Sequence, residues 1–176
     1  MARWCEAFIF RKTVAASGRS QRRNGLLDGL YAMRVAAVFG VLVGAASASE
    51  ETLPRLALTV DGTPIQAEVA RTWNARHEGL AGRAALAEDA GMLFVFRRPG
   101  RPCFWMKDTL LPLSLAFINE RGMIVQREEL LPGDEQSICA RQPVRFALEV
   151  ARNGLPARQL QFGRRVVGLP QLPRVP

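Results

Sequence analysis

Apolar and polar side chains alternate over several short stretches of this chain, and alternation with a period of two is the pattern of a half-buried β-strand. Residues 56–60 and 65–70 are the first two such stretches, and Asp61-Gly62-Thr63-Pro64 supplies a turn between them. Glu120-Arg121-Gly122 forms a second compact hairpin turn. The same pattern predicts further strands at residues 92–96, 104–107, 113–119, 123–130, 146–150 and 166–167.

Helical signals are confined to the region between the second and third predicted strands. Thr72 is a suitable N-cap for a helix that begins at Trp73 and continues to about Leu80, and Gly82 is available to end it. A second helical turn is predicted at residues 84–87. Short strands with so little helix predict a mainly β, β-rich α+β fold: a small closed or half-closed β barrel with one or two short helices.

Residues 1–48 have the features of a leader with a secretory signal. Arg34 supplies its positive end, residues 35–45 are an uncharged apolar stretch, and Ala46-Ser47-Ala48 is a small-x-small cleavage site. This apolar run is shorter than the roughly 20 residues that a membrane-spanning helix needs. We therefore expect an exported protein, periplasmic or extracellular, with no stable membrane span after cleavage. A retained signal anchor is the alternative, and Met33 is an alternative start.

The mature chain is expected to hold one β-rich domain, residues 49–169, and a proline-rich tail, residues 170–176. From Ser49 onward 17 Lys plus Arg face 14 Asp plus Glu, so the formal charge of +8 falls to +3. A charge this small, spread over a domain, predicts no nucleic-acid partner. No glycine-rich phosphate loop or dinucleotide fingerprint occurs, and His77 is the only histidine. We expect neither a cofactor nor a metal site.

Two cysteines, Cys103 and Cys139, remain once Cys5 leaves with the leader. An even number of cysteines in an oxidising compartment predicts a disulfide between them. The alternative is one buried thiol and one exposed thiol, because spacing alone does not show that the two Cα atoms come within bonding range.

Lys107 is the only lysine after the leader, in a region that carries sixteen arginines. One interpretation is a buried Lys107 that forms an ion pair with Glu149 or another acid, since buried charges are normally paired. The other is an anion-binding or nucleophilic lysine, because an ammonium is a compact donor that loses its proton when desolvated. The neighbouring Asp108 is most simply a turn residue. Trp105 is typical of a core position, with a ligand platform as the alternative.

A set of residues in fixed order resembles the uncharacterised prokaryotic family called domain of unknown function 192. The resemblance runs from Val69 to Val167 and implies a small, mostly β domain that is frequently exported and has no established substrate. The chain departs from the family pattern at Ala81, Asp108, Ser114 and Gly163-Arg164. The resemblance rests on Gly79-Leu80, Arg83, residues 91–96, Phe104-Trp105-Met106-Lys107, Thr109, Pro112, residues 116–118, Gly122, Ile124-Val125 and Leu148-Glu149.

Three functions remain open at this point. The first is a non-catalytic binding or accessory module of the cell envelope, which recognises a small ligand or an envelope protein through Arg83, Trp105, Lys107 and Asp108 near the mouth of the barrel. The second is an enzyme in which Lys107 is the base or nucleophile, which requires a pocket around its amine. The third is a purely structural role for the family residues, with function in the variable loops.

Overall fold

The structure, a computed structural model, describes residues 52–172. The leader, its signal and the last four residues of the tail lie outside these residues, so what the sequence indicates for them stays a prediction. The described chain forms strands β1 Arg55–Val60, β2 Thr63–Ala70, β3 Ala90–Gly100, β4 Cys103–Phe104, β5 Leu113–Ile118, β6 Ile124–Leu130, β7 Ile138–Cys139, β8 Val144–Ala151 and β9 Val166–Val167, and helices α1 Trp73–Glu78 and α2 Leu155–Gln159.

Seven of the strands form one sheet in the order β6-β5-β8-β3-β2-β1-β9. Neighbouring strands are antiparallel except β2 and β3, which run parallel. A parallel pair needs a crossover of a dozen or more residues, and residues 71–89 with α1 supply it. The sheet curls into a half barrel, as its alternation predicted. Its two edges meet at a bridge between Met123 and Arg165, just outside the named strands.

Alternation along each strand divides the apolar side chains between two cores. Leu93 and Val95 of β3 belong to an inner core to which all seven strands contribute. Met92 and Phe94 point the other way, into an outer core on the opposite face of the sheet. Both faces are therefore covered, and every residue of β5 is buried.

The outer core is closed by three segments that we call the cover layer: residues 71–89, 101–112 and 131–143. Ala75, Leu80, Met106 and Ala140 of this layer are buried against the sheet. Within it, β4 and β7 pair as a separate two-stranded sheet in which Cys103 is opposite Cys139. Some of the family residues after Arg83 lie outside the strands of the large sheet, and most of these are in the cover layer. The cover layer is therefore the part of the fold in which we look for a functional site.

The helices differ from the prediction in three ways. Thr72 does cap α1, since its Oγ1 accepts a hydrogen bond of 3.1 Å from the Ala75 N–H. The helix nevertheless ends at Glu78, because Gly79, at φ 54°, takes the C-cap position instead of Gly82. Residues 84–87 form no helical turn, and α2 was not predicted. None of the helices in residues 52–172 combines the length and hydrophobicity that crossing a bilayer requires.

Candidate functional site

The family residues of the cover layer converge around the turn at Lys107-Asp108. The predicted strand at residues 104–107 is wrong in extent, because β4 ends at Phe104 and the chain turns at Lys107. The Gly82 N–H donates a 2.8 Å hydrogen bond to the Asp108 carbonyl, and the Gly133 N–H donates one of 3.1 Å to the Thr109 carbonyl. These bonds join all three segments of the cover layer at the turn.

Asp108 has the left-handed backbone conformation that the turn requires, with φ 58°. Aspartate and asparagine tolerate this region better than other residues with a Cβ, because their short polar side chains bond locally. The conformation accounts for an aspartate at this turn, one of the positions where the chain departs from the family pattern. Asp108 is thus placed by backbone geometry, and its side chain is exposed.

Lys107 is exposed on this turn and forms no ion pair with any carboxylate of residues 52–172. The buried Lys107–Glu149 ion pair that we considered from the sequence therefore does not form. Its neighbour Met106, 2% exposed, is the residue of this motif that enters the outer core. Of these two adjacent residues, Met106 is thus a buried anchor and Lys107 is a solvated cation.

An exposed group of rings lies beside this turn, and we call Trp73, His77 and Trp105 the aromatic patch. Trp73 and His77 are four residues apart on α1, so they share one helix face; their rings stack with centroids 4.9 Å apart and planes 7° apart. Trp105 meets His77 edge to face at 6.3 Å. Trp73 is 68% exposed and Trp105 50% exposed. The core position considered for Trp105 is therefore wrong, and the partnership with Trp73 was not foreseen.

Arg83, the fourth predicted site residue, has its side chain bound elsewhere. Its two terminal nitrogens bond the two carboxylate oxygens of Glu68 at 2.9 and 2.6 Å. The Arg83 hydrogen bond holds the pKa of the Glu68 carboxyl below its usual value, against the opposing effect of burial. The pair lines a cavity of about 380 Å³ that also includes Leu86 and Asp89. The structure therefore groups Trp105, Lys107 and Asp108 at the turn and shows the Arg83 side chain bound to Glu68.

The predicted surface also lies in a different place from the one we expected. Its segment packs through Met106 on the outer core, so the surface is on the outer face of the sheet and not at the mouth of the half barrel. Leu110 and Leu131 of the same layer are also exposed, at 66% and 54%. The cover layer thus exposes more large apolar side chains than a solvated surface needs.

Glu149 is the buried ionisable residue that sequence reasoning passed over as a site. It is 5% exposed, and the strand register places it between Met92 of β3 and Leu115 of β5. No residue among 52–172 forms a hydrogen bond or ion pair with its carboxyl, and burial raises its pKa to about 8. Glu149 is therefore mostly protonated at neutral pH. The sequence feature that could have revealed this buried carboxyl is a single acid in an otherwise apolar predicted strand, residues 146–150.

Two departures from the family pattern find polar partners in this chain. Ser114 is fully buried, and its Oγ lies 3.0 and 2.9 Å from the two carboxylate oxygens of Glu129. Arg152 also pairs with Glu129, at 3.1 Å. Arg164 forms an ion pair with Asp61. The buried Ser114 hydroxyl thus has a carboxylate partner on the adjacent strand β6.

The Sγ atoms of Cys103 and Cys139 are 2.02 Å apart, at disulfide distance. Their Cα atoms are 3.9 Å apart in the β4–β7 ribbon. Within the described residues, His, Cys, Asp and Glu side chains form no group of three or more that is arranged to hold a metal ion.

Comparison with known proteins gives one family and two informative solved structures. Residues 56–168 match the profile of the DUF192 family, described as "Uncharacterized ACR". A protein of unknown function from Novosphingobium aromaticivorans DSM 12444 is similar at 30% identity and TM-score 0.60, over 67% of this chain and 88% of that chain. A protein from Sinorhizobium meliloti 1021, described as a "putative transcription regulator", is similar at 32% identity and TM-score 0.59, over 65% of this chain and 92% of that chain. No curated protein matches the sequence.

Proposed function

This chain belongs to the DUF192 family, and from that premise we propose that it is an exported, non-catalytic binding module of the cell envelope. Its docking surface is the aromatic patch together with Lys107. The single observation that carries the proposal is the exposure of two tryptophans around the only histidine of the chain. Tryptophan is enriched among the residues that dominate binding energy at protein interfaces.

The shape of this surface favours a protein or peptide partner over an enclosed small ligand. Small-molecule sites are concave, and neither of the two cavities described for this fold includes Trp73, Trp105 or Lys107 among its lining residues. An apolar surface bordered by the exposed Lys107 and Asp108 instead fits a protein that presents an apolar segment flanked by polar groups. We therefore propose an envelope protein as the partner that binds this surface.

Export is supported by the leader pattern and by the two cysteines at disulfide distance. The enzyme alternative has less support, because Lys107 is exposed and lines neither cavity. A catalytic lysine normally requires a desolvated pocket around its amine. The purely structural alternative accounts for Met106 and Leu80 but leaves the exposed tryptophans unexplained.

A pull-down experiment tests the proposed docking surface. The full chain, tagged at its C-terminus, is incubated with an extract of the periplasm of the producing organism, and captured proteins are identified by mass spectrometry. Replacing Trp73→Ala together with Trp105→Ala is expected to reduce recovery of one identified envelope protein at least about tenfold, since such anchors contribute most of the binding free energy. Binding of the purified partner is then measured by calorimetry.

The matched control replaces two other exposed apolar residues, Leu155→Ala together with Phe162→Ala, which are 64% and 77% exposed and outside the patch. This control is expected to retain the partner. Equal recovery with both double variants, or recovery of no specific protein by the unmodified chain, would contradict the proposed docking surface. Circular dichroism of each variant confirms that it remains folded.

A further inference from the structure

A second cavity, distinct from the aromatic patch, lies where the two edges of the half barrel meet. Its volume is about 610 Å³, within the range of small-molecule sites. Residues 120–122 of the β5–β6 turn form one wall, Arg145 and Phe146 of β8 contribute a second, and residues 165–172 close it. The bridge between Met123 and Arg165 and the bond from the Val166 N–H to the Gly122 carbonyl, 2.9 Å, hold these walls together.

The charges on the lining are unbalanced. Three arginines, Arg121, Arg145 and Arg165, line this cavity together with one acidic residue, Glu120. The Arg145 side chain is only 4% exposed, and its Nη1 lies 3.7 Å from Glu120 Oε1. A concave site with an excess of one sign of charge and low-dielectric walls concentrates counter-ions. Since Arg145 is paired with Glu120, the positive excess of this lining comes from Arg121 and Arg165, and it selects for an anion.

Apart from Gln171, the remaining lining consists of apolar side chains and backbone groups. The Gly122 N–H donates to the Asn119 carbonyl at 3.0 Å, so this backbone donor is occupied within the turn. Arg121 and Arg165 are exposed and form no ion pair with any carboxylate of residues 52–172. Phe146, Leu169 and Leu172 supply apolar surface beside them. Guanidinium groups bind carboxylate and phosphate in a bidentate manner, which makes them the recognition elements here.

We propose that this cavity binds a small organic anion, with a carboxylate or phosphate head held by Arg121 and Arg165 and an apolar body against Phe146, Leu169 and Leu172. The site shares no residue with the aromatic patch. It is therefore independent of the proposed docking function, and either proposal can fail alone.

Nuclear magnetic resonance titration of the ¹⁵N-labelled full chain tests the site, with phenyl phosphate and benzoate as anionic probes and benzyl alcohol as their neutral analogue. Ionic strength is held constant with sodium chloride, because surface charge attraction is sensitive to salt. At least one anion is expected to bind saturably, with a Kd of about 1 mM or lower, and to shift amide signals of residues 120–122, 145–146 and 165–172. Comparing the two anions distinguishes a phosphate from a carboxylate head.

Variants then separate the site from general attraction to a basic surface. Arg165→Gln is expected to weaken anion binding about tenfold, whereas Arg98→Gln, which removes an exposed arginine outside the cavity, leaves it unchanged. Both positions are exposed, so the fold should tolerate both substitutions. The proposal is overturned if neither anion saturates, if the shifts map elsewhere, if benzyl alcohol binds as well, or if the two variants weaken binding equally.

Discussion

Replacing Glu149→Gln is expected to stabilise the fold at alkaline pH and to remove a large part of its pH dependence. In the folded chain the Glu149 carboxyl has a pKa of about 8, against an ordinary value of 4.5. Between these values the folded state keeps a proton that the unfolded state releases, so stability falls as pH rises. The stability that the neutral Glu149 carboxyl contributes is fully present below about pH 4.5 and lost by about pH 8. The loss is about 5 kcal/mol over this window.

The measurement is the free energy of unfolding by denaturant at pH 5, 6, 7, 8 and 9. At pH 5 the amide and the protonated acid are both neutral and similar in shape, so the two proteins should have nearly equal stability. At pH 9 the variant should be more stable by several kcal/mol. The exposed Glu135→Gln is the control and should follow the unmodified chain at every pH. Parallel curves for Glu149→Gln and the unmodified chain would contradict the burial of an unpaired carboxyl.

Removing both cysteines of the cover layer, by Cys103→Ala with Cys139→Ala, is expected to lower the free energy of unfolding by about 4 kcal/mol. A crosslink stabilises mainly by restricting the unfolded chain, and this one joins positions 36 residues apart. The ribbon that it links has only two residue pairs, Cys103 with Cys139 and Phe104 with Ile138. The cover layer above the outer core should therefore loosen first.

Denaturant titration under oxidising conditions measures this loss, and hydrogen exchange shows whether residues 101–112 and 131–143 lose protection before the large sheet. Cys5→Ala is the matched control, because Cys5 belongs to the predicted leader. Its stability should equal that of the unmodified chain. Two results would show that the crosslink does not hold the cover layer. One is a loss of unfolding free energy below about 1 kcal/mol in the double variant, and the other is equal hydrogen exchange in the cover layer and the large sheet.

Much of the sheet could be predicted because alternation and turn residues are local signals. The Asp61–Pro64 and Glu120–Gly122 turns fixed two hairpins, and each predicted strand around them has a counterpart. The extent of β4 and the existence of β7 could not be predicted, since each has two residues and depends on its partner. Residues 84–87 have helical propensity, but Leu86 packs on the outer core without a helix. Tertiary packing overrides weak local propensity there.

The site was predictable where its residues are adjacent and not where the fold brings distant segments together. Trp105, Lys107 and Asp108 are consecutive or nearly so, and they remain together. The place of Trp73 beside them depends on the packing of α1 next to the turn, which no short-range pattern encodes. The ion pair of Arg83 with Glu68 could not be predicted either, because Glu68 lies on β2, far from Arg83 in sequence. The sequence placed Lys107 in a strand, where its side chain would point either into the core or to solvent according to the alternation. The structure places it in a turn instead.

Adjacent residues of the Phe104–Lys107 segment have opposite roles in the fold, with Met106 as a buried anchor and Lys107 as an exposed cation. Denaturant unfolding of Lys107→Met, beside Met106→Ala, measures this division. Lys107→Met is expected to change the free energy of unfolding by no more than about 0.5 kcal/mol. Met106→Ala should lose about 2 to 5 kcal/mol, because it empties a buried site. A loss of about 3 kcal/mol or more for Lys107→Met would instead reveal a buried ion pair and contradict the exposed position of Lys107.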